Sequence, residues 1–300
     1  MANLYQYQSS NVRRTWVLFI VFFAVILLIG YVFAQAYGDP SFIIFAGIFS
    51  IVYSLISYFA SAKIALSLAR AREIQKQDNP ALWNLVENLC IESGLPMPKL
   101  CITPELQINA FATGRDPRHA AVAVTQGALQ RLDKSELQGV LAHELSHVRN
   151  RDILVSTVAA ILAGIISLIA DVFLRSLFWS GGMGGGRGRN NEGEIFFIFA
   201  IILSILAPIG TMLIQLAISR RREALADASG VLLTRYPEGL ISALRKIEQD
   251  NVPMASAKDS TAHLWIDTPF KGKQVSWWHK LFMTHPPIEE RIAALEAMAG

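Results

Sequence analysis

Three hundred residues with a net charge of only +3 carry too little basic excess to argue for nucleic acid, and no nucleic-acid partner is expected. Hydrophobic residues make up 52% of the chain and charged ones 17%, so a length that would suggest two soluble domains describes a membrane protein instead. Two cysteines, Cys90 and Cys101, form neither a metal spacing nor a disulfide framework, which suits a reducing compartment.

In chain order, residues 16–34 and 42–60 are each nineteen residues without Asp, Glu, Lys or Arg. That is enough helix to cross a hydrocarbon core of about 30 Å. The first has a signal-peptide flavour, with Arg13 and Arg14 before it and Ala34-Gln35-Ala36 after it. Its apolar core exceeds the ~7–15 residues of a cleaved leader, so it reads as a retained span. Residues 153–170 and 195–217 are a third and a fourth candidate.

Lys and Arg near the span ends set the expected orientation. Arg13 and Arg14 precede span one, and Lys63, Arg70, Arg72 and Lys76 follow span two. Arg149 and Arg151 precede span three, and Arg220 to Arg222 follow span four. With four spans, all of these share one side, expected to be cytoplasmic. Asp171, Arg175, Arg187 and Arg189 run against the pattern and leave open how far the third and fourth segments reach.

The chain therefore divides into a hairpin (1–62), a polar segment (63–152), a second hairpin (153–219) and a second polar segment (220–300). Within the second hairpin, residues 181–194 are glycine-rich and read as a flexible connection. No strand precedes these glycines and no Lys-Ser pair follows, so they are not read as a phosphate loop.

In the first polar segment, Leu82, Leu85, Val86 and Leu89 are spaced for one face of a helix. Strands are expected at 100–103, 108–113 and 120–125. Another helix starts near Asp133, where Asp133 and Glu136 have capping-box spacing, and Leu137, Val140, Leu141, Leu145 and Val148 mark its buried stripe.

That helix carries His143-Glu144-Leu145-Ser146-His147. Histidines four apart leave the same face one turn apart and can reach one tetrahedral zinc ion. Glu144 sits roughly 100° round the helix, placed to take the proton of a metal-bound water. The metzincin pattern would put a histidine at position 153 and a glycine at 150, but these are Ile153 and Asn150, so that class is excluded. A third ligand must come from farther away. Glu192 and Glu194 would lie across the membrane, and Asp171 at or near the far end of span three. The first acids back on the correct side are Glu223 and Asp227, again four apart on a helix. Glu223 is the expected ligand, and Asp227 suits a carboxylate that orients a histidine ring.

Together, HELSH, EALAD, NAFATG and THPPIEERI resemble, over nearly the whole chain, the HtpX family. These are integral-membrane zinc metalloproteases of bacterial membrane quality control and stress response, related to the CAAX prenyl proteases. The resemblance implies His143, His147 and Glu223 as ligands of one zinc ion per chain and Glu144 as the base. It implies an α+β chain with about four transmembrane helices and a zincin-like (gluzincin) catalytic domain. That domain would face the cytoplasm from the inner membrane and cut damaged or misfolded membrane proteins. Beside it, Asn109, Ala110, Phe111 and Ala112 suit an exposed sheet edge to which a substrate strand adds. His285 suits a donor to the developing oxyanion, and Arg291 a group that orients a site carboxylate. His119, His263 and His279 lack ligand spacing and are read as structural, and Trp277-Trp278 as core or membrane-interface residues. The other reading is a non-catalytic, zinc-stabilised membrane scaffold or chaperone, which would have no need of Glu144.

Overall fold

A computed structural model describes residues 4–182, 220–256, 259–271 and 286–299. Helices α1 (Leu4–Tyr37), α2 (Ser41–Phe59) and α3 (Ser61–Leu68) lead into β1 (Arg72–Glu73) and α4 (Pro80–Ser93). Then follow β2 (Lys99–Thr103), β3 (Ala110–Gly114), β4 (Ala120–Thr125), α5 (Gln126–Arg131), α6 (Lys134–Arg149) and α7 (Asp152–Gly182). The last described helices are α8 (Arg220–Thr234), α9 (Pro237–Gln249) and α10 (Ile288–Ala299).

Among the described residues, three stretches are long and apolar enough to cross a membrane: Ser9–Gln35, Ser41–Phe59 and Asp152–Asp171. The expected fourth segment, 195–217, and most of the glycine-rich connection lie outside the described residues. Helix α1 has 34 residues and is therefore roughly 51 Å long, well beyond a 30 Å hydrocarbon core. Its surplus at the N-terminal end brings Asn11 to the level of the polar domain. Gly30 lets α1 and α2 pack closely, since a Cβ there would run into Ala46 and the backbone at Phe42.

The sheet order is β1-β2-β4-β3, with β2 parallel to β4 and both outer pairings antiparallel. β1 was not expected, because two residues carry no periodic signal. β3 begins two residues later than the apolar pattern suggests. Asn109 turns its side chain to its own surroundings there: Oδ1 accepts from Ala110 N–H at 3.1 Å and Nδ2 donates to Asp267 O at 2.9 Å.

Behind the sheet, the stripe of α6 (Val140, Leu141, Leu145, Val148) meets Leu85, Val86 and Leu89 of α4 and Leu240 and Leu244 of α9. Burying each such side chain is worth roughly 1.5–3 kcal/mol. The start of α6 is fixed by the capping box: Asp133 Oδ1 accepts from Glu136 N–H at 2.9 Å, and Glu136 Oε2 accepts from Asp133 N–H at 2.8 Å. Glu136 also binds Lys246 at 2.6 Å, which ties this cap to α9. The helix bearing the histidines is thus anchored at its far end before the site begins.

Candidate metal centre

His143 and His147 project from the last two turns of α6, with their Nε2 atoms 3.2 Å apart and their rings nearly perpendicular at 89°. Glu223, in the first turn of α8, completes the cluster: its Oε2 is 3.7 Å from His143 Nε2 and its Oε1 is 3.5 Å from His147 Nε2. One ligand atom from each residue falls within 4.8 Å of the others. The approach of α8 to α6 depends on Gly230, where a Cβ would stand only 3.0 Å from the backbone nitrogen of His143.

Each imidazole is held from behind by a carboxylate. His143 Nδ1 faces Asp227 Oδ1 at 2.8 Å, and His147 Nδ1 faces Asp152 Oδ2 at 3.0 Å. This network assigns a proton to each Nδ1 and turns two Nε2 lone pairs and the Glu223 carboxylate towards one point. Three electron-rich atoms so arranged repel one another unless a cation sits among them. Two imidazoles and one carboxylate are also a donor set that suits a catalytic zinc.

Electrostatics agree. Burial opposes a charge on His147, but Glu223, Asp152 and Glu144 outweigh it and push its pKa up to about 9. A positive charge is wanted here, whether proton or metal. Burial likewise opposes ionisation of Asp227, yet Arg291 and His143 hold its carboxyl well below the usual carboxylate range. Arg291 grips Asp227 in a two-pronged pair, Nε to Oδ2 at 2.9 Å and Nη2 to Oδ1 at 2.7 Å, and donates to Ile266 O at 3.3 Å.

Asp152, Asn11 and Arg222 join the site without having been singled out in the sequence. Asn11 Nδ2 donates to Asp152 Oδ1 at 2.7 Å and to Asn150 O at 3.0 Å, and Asn11 Oδ1 accepts from Arg222 Nη1 at 3.1 Å. Arg222 Nε lies 3.5 Å from Asp152 Oδ1. Asp152 had a signal to offer, since it opens the helix directly after the histidines. Asn11 had none, being 141 residues away from its partner.

Glu144 is buried and, among the described residues, has no hydrogen-bond or ion-pair partner, unlike Glu223, Asp227 and Asp152. Asn109, Ala110, Phe111 and Ala112 run into and along β3, the edge strand of the sheet beside α6. Their side chains are buried, and part of this edge is already covered. Ile266 N–H donates to Ala110 O at 3.0 Å, and the Trp265 ring lies edge-on to Phe111 at 4.6 Å. The strand alternation turns the backbone of Ala112 to the same outer edge, where no hydrogen bond forms among the described residues. His285, His279, Trp277, Trp278, Glu192 and Glu194 lie outside the described residues.

The model of peptidase family M48 matches residues 76–299. The chain belongs to peptidase family M48. Curated relatives share its full length. A "Protease HtpX homolog" of Caldanaerobacter subterraneus subsp. tengcongensis is 47% identical, with 98% of each chain covered. Another from Tropheryma whipplei (strain Twist) is 44% identical, with 99% of each covered. Among solved structures, S. mikatae Ste24p shares the fold at a TM-score of 0.50 and 18% identity. That match covers 91% of this chain and 61% of the Ste24p chain. This M48 peptidase is accordingly a membrane-embedded metalloprotease: a hydrolase that uses a metal, acts on protein substrates and associates with lipid.

Proposed function

We propose that the metal is a single zinc ion held by His143 Nε2, His147 Nε2 and Glu223, and that the enzyme is an endopeptidase. The convergence of these donors within 4.8 Å, beside a buried Glu144 that has no hydrogen-bond partner among the described residues, carries the reading. Bound zinc would polarise the scissile carbonyl and lower the pKa of a water towards about 7. Glu144 would serve as the general base towards the attacking water and return the proton to the leaving amine. Asp227 and Asp152 keep the two rings in the tautomer that presents Nε2, and Arg291 keeps Asp227 ionised. His285 donates to the developing oxyanion. The substrate lies as an extended strand along Asn109–Ala112, pairing at the open backbone of Ala112.

In this reading the catalytic domain combines 63–152 with 220–300, while 1–62 and 153–219 hold it at the membrane. The clustering of Lys and Arg at one set of span ends supports a cytoplasmic catalytic domain on a bacterial inner membrane. Backbone pairing demands no particular side-chain sequence, which supports unfolded or damaged membrane proteins as substrates.

The test is cleavage of an unfolded protein by the detergent-purified chain, with metal content measured in parallel. Glu144→Gln is expected to keep one zinc and lose about 10²–10⁴-fold in rate. Glu223→Ala is expected to lose the metal, and Glu192→Ala to keep it. Equal cleavage by Glu144→Gln and the unaltered enzyme would remove Glu144 from the mechanism.

A further inference from the structure

Away from the metal, a groove of about 1220 Å³ opens between α1, α2 and the underside of the polar domain. None of His143, Glu144, His147 or Glu223 lines it. Its two ends differ in chemistry. One lies between the spans and is walled by Phe19, Ile20 and Phe23 of α1 and by Ile51 and Leu55 of α2. The other lies where the spans meet the polar domain, and there Arg115, Arg118 and Arg151 line it together with Asp116.

The charges at that end are unbalanced. Arg115 is pinned, its guanidinium 5.4 Å above the Phe59 ring at the end of α2 and 3.5 Å from Asp116. Asp116 is engaged in its own turn, accepting from the backbone N–H groups of Arg118 and His119 and facing His119 Nδ1 at 2.8 Å. Arg118 and Arg151 are exposed and have no ion-pair partner among the described residues. Among the described residues, three arginines against one carboxylate leave an anion-seeking mouth on an apolar slot.

We propose that this groove binds one anionic phospholipid, with an acyl chain between α1 and α2 and the phosphate against Arg115, Arg118 and Arg151. The charge pattern selects the headgroup, as basic pockets between transmembrane helices do. The arginine-lined end argues against a transmembrane segment of a substrate, whose apolar span offers these guanidinium groups no counter-charge. The site would make the peptidase responsive to the composition of its membrane without altering the metal centre.

Arg151 supplies a test that separates binding from folding. It sits at φ 58, a left-handed conformation that glycine adopts more easily. Arg151→Gly removes the charge while relieving the backbone. The full chain in detergent would be given phosphatidylglycerol, phosphatidylcholine or inorganic phosphate. Lipid retained per chain would be counted by native mass spectrometry, and Tm recorded. Phosphatidylglycerol is expected to be retained at one molecule per chain and to raise Tm, with little effect from the other two. Arg118→Gln and Arg151→Gly should each weaken retention about 5-fold, the second without lowering the lipid-free Tm. Ser54→Phe, which fills the slot from α2, should abolish retention and leave proteolysis in detergent unchanged. Equal retention of phosphatidylcholine, a Tm rise from phosphate alone, or unaltered retention by the arginine variants would overturn the proposal. So would a substrate polypeptide, rather than lipid, cross-linked to Ser54→Cys.

Discussion

His143 and His147 stand one turn apart on α6, yet they are braced from opposite parts of the chain. The brace on His143 comes from the polar domain: Asp227 on α8, gripped by Arg291 on α10. The brace on His147 comes from the starts of the membrane helices: Asp152 opens α7, and Asn11 on α1 donates to it. Arg222, next to the third member of the metal cluster, touches both Asn11 and Asp152. The first brace is a fully buried ion pair, whereas the second combines an amide, a carboxylate and a longer ion pair. The first should therefore govern stability and the second the fit of the metal. The spans accordingly do more than hold a soluble enzyme at the bilayer, because two of them supply residues that brace the candidate metal centre.

Breaking the polar-domain brace should have the larger consequence. Asp227→Asn leaves the buried Arg291 guanidinium without its counter-charge, which costs about 3–5 kcal/mol. Denaturant unfolding of the purified chain should register that loss, and Asp227→Asn with Arg291→Met should recover part of it. An unchanged midpoint for Asp227→Asn would mean that the pair carries little of the stability of the domain. At the membrane brace, Asp152→Asn should change stability less, because Arg222 keeps its contact with Asn11. Its effect should appear as about 10–100-fold weaker metal affinity in competition with a chelator.

The asymmetry between the braces is also an asymmetry in what the sequence could reveal. Local signals were sufficient for the three described spans, for the capped α6 with its stripe and for the His143–His147 pair. Each of these rests on residues within a few turns of one another. Glu223 and Asp227 were reachable because a hairpin argument returns the chain to the same side of the membrane. Asn11 was not legible, since a lone asparagine near a helix start has many bland explanations. Nor was the covering of the β3 edge by Ile266, because edge pairing depends on where a distant loop comes to rest.

The two braces should also part company with pH. The Asp227 carboxyl is depressed, so its stabilisation is complete above the ordinary carboxylate pKa and is lost only as acid reaches its lowered value. His147 is raised in the metal-free protein, so its contribution is complete below about pH 6.5 and is lost as pH climbs through about 9. Metal-free Tm should therefore decline between those values. Asp152→Asn should flatten that decline and Asp227→Asn should leave it. An equal decline in all three proteins would show that His147 is not the group responsible.

The smallest effect, and the one that isolates the contribution of α1, belongs to Asn11→Leu. Leucine keeps the approximate size of the side chain but removes both donors to Asp152 and Asn150 and the acceptor for Arg222. A hydrogen bond to a charged group contributes about 1.5–3 kcal/mol, and only part of that is transmitted through Asp152 to His147. Metal affinity should consequently fall about 3–10-fold, less than for Asp152→Asn. The decisive comparison is the double variant, because residues acting through one contact are not additive. If Asn11 works by holding Asp152, then Asn11→Leu added to Asp152→Asn should weaken the metal little further. Fully additive losses would mean that α1 supports the site by packing alone, and the amide of Asn11 would have no share in placing His147.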